Sequence, residues 1–138
     1  MQLMLHPPPY LQLTLPGMFE RVNKNHIPLI MARIHENHEK LVAAFENGNK
    51  NLAKVFKPLP TNGGETLVVK IPDYGKFKDG IDSDLKLAQA LYKEENIIVV
   101  PLSAYHGDDG ALVFSTSLQS DVQADMINRL NDFVGRHI

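Results

Sequence analysis

Glu65-Thr-Leu-Val-Val-Lys-Ile-Pro72 decides how this chain is read. Thr66 to Ile71 is rich in β-branched residues and is bounded by Gly63-Gly64 and Pro72, the composition of a strand. Working outward, a helix is expected over Asp84 to Glu95. A second strand is expected within Asn96-Ile-Ile-Val-Val-Pro-Leu102, over Ile97 to Pro101. A third follows over Ala111 to Thr116, within the run that ends at Ser117, and a closing helix covers about 121–135. That order predicts an α/β fold of the α+β sandwich type: a small sheet, mostly antiparallel or mixed, with helices packed on one face. One face suffices because each helix carries a single apolar stripe.

The helical expectations rest on spacing and caps. Leu85, Ala88, Leu91 and Tyr92 fit one face of the 84–95 helix, with Asp82 or Ser83 available as N-cap and the end before Asn96. In the last helix Ser120 and Gln123 have the spacing of a capping box, and Val122, Met126, Ile127, Leu130, Phe133 and Val134 recur behind it. Asp73 to Asp82, with two glycines and alternating charges, reads as an exposed loop.

Upstream, Pro7-Pro8-Pro9 and Pro16-Gly17 predict an irregular arm over residues 1–17. A short helix is expected before Pro28 and a long one starting near it, over about 30–47. Ile30, Ile34, Leu41, Val42 and Phe45 form its apolar stripe, Arg33, Glu36 and Lys40 face outward, and Gly48 stands as its C′ residue. Residues 47–64 read as a connector, with a possible short strand at Ala53-Lys-Val-Phe56.

Composition sets limits on function. The chain has 138 residues, 43% of them hydrophobic, enough for one domain with a real core. A net charge of -2 with mixed signs supplies no basic field, so nucleic acid is not an expected partner. Cysteine is absent, which removes disulfides and thiolate metal sites and suits a reducing compartment. The run Met1 to Leu15 lacks a basic leader and is broken by prolines, so no membrane partner is expected and a cytoplasmic location is.

Few residues suggest chemistry. His35-Glu36-Asn37-His38-Glu39 is one residue short of the zincin spacing, so His35 and His38 stand at i, i+3. They remain weak metal candidates, with His26 or Glu39 as a third ligand, against the plainer reading of a solvated helix face. His106 beside Gly107-Asp108-Asp109-Gly110 reads as a turn between strands. Ser83-Asp-Leu-Lys86 has the letters of a Ser-x-x-Lys nucleophile motif without its companions, and Ser83 is accounted for as a helix cap. No phosphate-binding glycine loop or nucleophile elbow occurs.

Three stretches taken together, Asn62-Gly-Gly-Glu-Thr-Leu-Val-Val-Lys-Ile71, Leu91-Tyr-Lys-Glu-Glu-Asn-Ile-Ile-Val-Val-Pro101 and Ser117 into the last helix, carry a family resemblance. In order and spacing they resemble the C-terminal small domain of class I/II pyridoxal-phosphate-dependent aminotransferases, most closely the tyrosine aminotransferase branch. Met18 to Phe56 is similar to that family's long helical connector. The resemblance implies an arm over 1–17 and an aminotransferase-like small domain over 18–138.

The same resemblance implies that the chemistry is missing. The family's cofactor lysine lies in a small-residue turn followed by a phosphate-binding arginine, and none of the lysines here has that setting. Pro7-Pro8-Pro9 would fall shortly after such a segment, as if the chain began just downstream of it. The family's carboxylate-binding arginine lies on the strand before the last helix, where an ungapped match counted back from that helix sets Val113, or Leu112 one residue away. The family's Pro-Gly turn after the second strand becomes Pro101-Leu102-Ser103. No catalytic, cofactor-binding or substrate-binding residue is therefore expected.

The functional expectation is a truncated or degenerate small domain of a tyrosine-aminotransferase-like enzyme, not competent alone, whose full-length family transaminates aromatic amino acids with pyridoxal phosphate. The alternative is a non-enzymatic binding or oligomerisation module on the same scaffold. Either way, apolar residues of Met1 to Phe19 or of the strands are expected to lie uncovered, favouring a homo-oligomer, a swapped arm or a missing large domain as partner.

Overall fold

A computed structural model describes residues 9–48, 50–61, 64–107 and 110–138. The elements run α1 (Pro9–Arg21), a π turn (Val22–His26), α2 (Ile27–Ala43), a second π turn (Ala44–Gly48), α3 (Lys50–Val55) and β1 (Lys57–Pro58). They continue with β2 (Thr66–Lys70), a 3-10 turn (Tyr74–Lys76), α4 (Asp84–Glu95), β3 (Val100–Pro101), a 3-10 turn (Leu102–Tyr105), β4 (Ala111–Ser115) and α5 (Ser120–His137).

The sheet has four strands in the order β1-β2-β4-β3, and every pairing is antiparallel. Its two central strands are the β-branched runs that the sequence marks, paired from Thr66 opposite Ser115 to Lys70 opposite Ala111. Both edge strands are two residues long and contain a proline, Pro58 and Pro101. A residue without an N–H at each short edge gives another strand little to extend.

The period of two along β2 and β4 sorts the faces. Leu67, Val69, Leu112 and Phe114 are buried on one face, while Thr66, Val68, Val113 and Ser115 are half-buried or exposed on the other. The buried face shares one core with Leu41 and Phe45, Leu52 and Phe56, Leu87 and Leu91, and Leu130, Phe133 and Val134. The helices from Ile34 onward therefore cover a single face, as their single stripes require. Phe45 centres this core, with edge-to-face contacts to Phe56 and Phe114 at centroid distances of 5.5 and 5.3 Å.

Helix ends follow local chemistry. The Ser83 hydroxyl accepts from the Lys86 N–H at 3.3 Å and caps α4. Asn96 adopts the left-handed conformation after α4, where Ile97 N–H reaches Leu91 O at 3.2 Å and Asn96 N–H reaches Tyr92 O at 3.1 Å. The bond from Asn96 to Tyr92 O is that of an αL helix cap, with asparagine in the usual place of glycine.

Several expectations require correction. Pro9 to Gly17 is helical, not irregular, while residues 1–8 lie outside the described residues. Pro16 removes one backbone donor but keeps a helical φ, and propagating a helix already formed costs far less than starting one. Pro28 stands just after the π turn, through which the backbone stays helical, with Ile27 N–H donating to Val22 O. The chain forms two compact units, Met1–Arg33 and Ile34–Ile138. Gly48 closes a π turn rather than capping an α-helix, and Ala53 to Val55 belongs to α3 instead of a strand.

The second strand shrinks to Val100–Pro101 because Asn96 and Ile97 are used by the helix end and a 3-10 turn begins at Leu102. The 73–82 segment is anchored: Phe77 and Ile81 join the core, and Lys78 N–H donates to His137 O at 2.7 Å. On α4 the buried stripe is Asp84, Leu87, Ala88 and Leu91, with Leu85 and Tyr92 exposed. The Ser120–Gln123 capping box does not form, since Gln119 is the N-cap residue and Gln123 turns inward. Ile30 and Val122 are likewise exposed rather than part of their stripes.

In the first unit, residues 14 to 33 bury no side chain. Met18, Phe19, Val22, Ile27, Leu29, Ile30 and Met31 are all exposed, Leu29 at 70%.

Candidate functional site

β4 is where the resemblance puts a substrate contact, so its register matters. Leu112 lies opposite Val69 and Pro101 and is fully buried. Val113 lies opposite Val68 and Val100 on the other face and is half-buried. The two positions pose different problems for a charge. An arginine at 112 would carry its guanidinium into an apolar core, whereas one at 113 would emerge on the open face.

The lysines whose side chains are described are all exposed. Lys24, Lys40 and Lys86 are in i, i+4 ion pairs with Glu20, Glu36 and Asp82, each at 2.6 Å. Lys76 and Lys78 donate to the carbonyls of Lys54 and Ile138 at 2.8 and 2.7 Å. Hydrogen bonding and then attraction to Lys40 hold Glu36 below the ordinary carboxylate range. The hydrogen bond from Lys86 does the same for Asp82 against a smaller opposing effect of desolvation. Arg136 is pushed up, first by its hydrogen bond to Glu95.

The histidine run does not behave as one face. His35, Glu36 and Glu39 are exposed, but Asn37 and His38 are buried, which corrects the reading of a uniformly solvated face. Among the described residues no group of three His, Cys, Asp or Glu side chains is placed to hold a metal ion. His106 is exposed in the left-handed conformation at φ 57, while Asp108 and Asp109 lie outside the described residues. Ser83 and Lys86 meet through a cap and not as nucleophile and base.

Polar groups that the sequence reading passed over are the better organised ones. Asn37 donates from Nδ2 to Thr116 O at 3.1 Å and to Leu118 O at 2.6 Å, tying α2 to the turn before α5. Gln123 Nε2 donates to Asn37 O at 2.6 Å. The signal was the position of Asn37 three residues after Ile34 and four before Leu41, on the buried stripe. Asp84, also buried, accepts from Ser103 N–H and Oγ at 2.9 and 2.8 Å. His137 stands between Asp79 and Glu94, its two ring nitrogens 3.0 and 2.9 Å from their carboxylates, and stacks on Phe133.

Several hollows mark the unit from Ile34 onward. A groove of about 370 Å³ runs between Ile97, Ile98 and Leu118, Val122, Met126. A second, of about 460 Å³, lies at Lys54, Val55, Lys76 and Ile138. A third, of about 220 Å³, is lined by His38, Glu39 and Glu46 against Val42, Pro58 and Leu59. Among the described residues no helix is long and apolar enough to cross a membrane.

No model of a known protein family matches the chain, and no curated protein does. Solved structures do. The chain is similar to tyrosine aminotransferase from Leishmania infantum with a TM-score of 0.67 and 21% identity, over 78% of this chain and 25% of that one. It is similar to an Escherichia coli protein with a methionine aminotransferase function at 0.64 and 22% identity, over 88% of this chain and 29% of that one. Aspartate aminotransferase from Rhizobium meliloti matches at 0.64 and 12% identity, over 97% and 29%. The chain thus spans between a quarter and a third of the length of these proteins. At such identities the likeness establishes the fold, and the chain has the α+β architecture of a portion of the aminotransferase chain.

Proposed function

We propose that the chain is a small domain of the aminotransferase type that does not carry out transamination by itself. The observation that carries this reading is the register of β4. Neither residue at the position of the family's carboxylate-binding arginine can make the paired hydrogen bonds a carboxylate requires: one is a leucine sealed in the core, the other a valine beside Val68 and Val100. The surroundings of the lysines support it. Pyridoxal phosphate needs a lysine in a sheltered pocket with donors for its phosphate. The hollow at Lys54 and Lys76 offers two exposed lysines and no arginine, so these residues do not fit the cofactor.

In a full-length relative of tyrosine-aminotransferase type, the remaining chain would supply the cofactor and the aromatic substrate pocket, and this domain would close on it. The test is turnover of tyrosine with 2-oxoglutarate by the purified chain in the presence of pyridoxal phosphate. No product above the cofactor-only background is expected, and a steady rate proportional to chain concentration would refute the reading.

A second reading, a binding or oligomerisation module, is supported by one feature. The helical run from residue 14 to 33 exposes seven large apolar side chains and buries none. Such a surface calls for cover from a second copy or from a separate large domain.

A further inference from the structure

His137 ties three parts of the chain together. It lies in the last turn of α5, with Nδ1 3.0 Å from an oxygen of Asp79 in the 73–82 segment and Nε2 2.9 Å from an oxygen of Glu94 near the end of α4. Its side chain is only 12% exposed, and its ring centroid lies 4.3 Å from that of Phe133. The main chain follows the same seam, since Lys78 N–H donates to His137 O at 2.7 Å. Asp79 and Gly80, next along the segment, both take left-handed conformations, at φ 62 and 73. That region costs an aspartate more than a glycine, so the turn gains from a hold on the Asp79 side chain.

Counting protons decides what kind of hold this is. A neutral imidazole has one N–H and one lone pair, so it donates to one carboxylate and turns its lone pair towards the other. The imidazolium has two N–H groups and satisfies both carboxylates at once, with its charge also facing the Phe133 ring. The neighbouring cations are engaged elsewhere. Arg136 is bonded to Glu95 and reaches Glu94 only at 3.8 Å, and Lys78 Nζ donates to Ile138 O. Asp79 is the more exposed of the two carboxylates, and so the freer to turn away into water. We propose that His137 is a proton-operated latch: charged, it joins the 73–82 segment to the ends of α4 and α5, and on losing its proton it keeps Glu94 and releases Asp79. The sign follows from the count. The hold is present in mildly acid solution and is lost as rising pH removes the ring proton. Lys76 on the segment and Ile138 beside the latch both line the hollow at Lys54 and Val55, so release loosens two of its walls. The latch uses no residue of β4 and does not depend on the transaminase reading.

The experiment follows ring and segment together by NMR on the isotopically labelled full chain between about pH 5 and 8, the range in which an imidazole changes charge. Ring 15N shifts of His137 are expected to pass from the doubly protonated form to the Nε2–H tautomer, and the side-chain carboxyl 13C shift of Asp79 to move in the same transition. Exchange protection of Lys78 N–H, corrected for the intrinsic effect of pH, is expected to fall about threefold or more across it. His137→Gln removes the titrating group and is expected to abolish that fall. Asp79→Asn changes an exposed side chain, and asparagine tolerates the left-handed turn, so the fold is kept and the fall at Lys78 is expected to shrink by about half or more. Equal protection of Lys78 at both ends of the range in the parent, an undiminished fall in either variant, or an Asp79 carboxyl that does not move with the ring would overturn the proposal.

Discussion

Gln123, in the first turn of α5, donates its side-chain N–H to the backbone carbonyl of Asn37 at 2.6 Å, although the two residues lie 86 positions apart. Asn37 returns the link through its own amide to Thr116 O and Leu118 O, so one buried asparagine joins α2, the end of β4 and the start of α5. Replacing Asn37 with alanine leaves two carbonyls without their donor. A loss of about 2–4 kcal/mol in urea unfolding is expected. Gln123→Leu should cost less, because it also removes an Oε1 that has no partner in the fold. Equal and negligible losses for both would show that the staple contributes nothing.

Returning an arginine to β4 separates its two faces. Leu112→Arg inserts a charge among Val69, Phe114 and the rest of the core, and should destabilise by about 3 kcal/mol or more. Val113→Arg lies on the half-open face and should cost about 1 kcal/mol or less. Urea midpoints of the two variants are the measurement, and a reversed order would mean that the register is misassigned.

The Asp82–Lys86 pair gives a small acid dependence of defined sign. Hydrogen bonding to Lys86 lowers the Asp82 pKa in the folded state. A carboxylate of this kind stabilises the fold above its unfolded pKa, and that contribution disappears as pH falls through the lower folded value. Asp82→Asn should therefore lower the urea midpoint slightly near neutral pH and match the parent once the pH has fallen through the lowered folded pKa of Asp82. A difference that grows on acidification would contradict the sign.

The exposed apolar residues of the first unit predict self-association. Replacing Phe19, Leu29 and Ile30 with glutamine is expected to shift sedimentation of the chain towards the monomer. The core signals of residues 34–138 should be unchanged. A parent chain that sediments as a monomer at high concentration would remove the basis for an oligomerising role.

Legibility in the sequence followed burial. Thr66 to Ile71 and Ala111 to Thr116 could be read because alternating burial and β-branching coincide there, and the last two helices because apolar residues recur at helical spacing, although the Ser120–Gln123 box does not form and Leu85, Tyr92 and Val122 lie exposed. The failures came where tertiary context reversed a local preference. Asn96-Ile-Ile-Val-Val-Pro101 has the composition of a strand, yet its first two residues end α4 and its last two alone reach β4. Pro16 and Gly17 punctuate the sequence without breaking the helix. Asn37, Gln123 and His38 are polar residues buried among the helices' apolar positions, and their polarity alone assigns them to the surface. The expectation of an absent arginine rests on the sequence match alone, and what the structure adds is that Leu112 is buried and Val113 half-buried.

The central claim, an aminotransferase-type fold without its cofactor chemistry, is tested most directly by cofactor capture. The purified chain is mixed with equimolar pyridoxal phosphate, reduced with borohydride and digested, and the modified lysines are located by mass spectrometry. The account predicts weak, substoichiometric labelling scattered over exposed lysines such as Lys54, Lys57 and Lys93. Stoichiometric labelling of one lysine, abolished by replacing that residue alone, would contradict it.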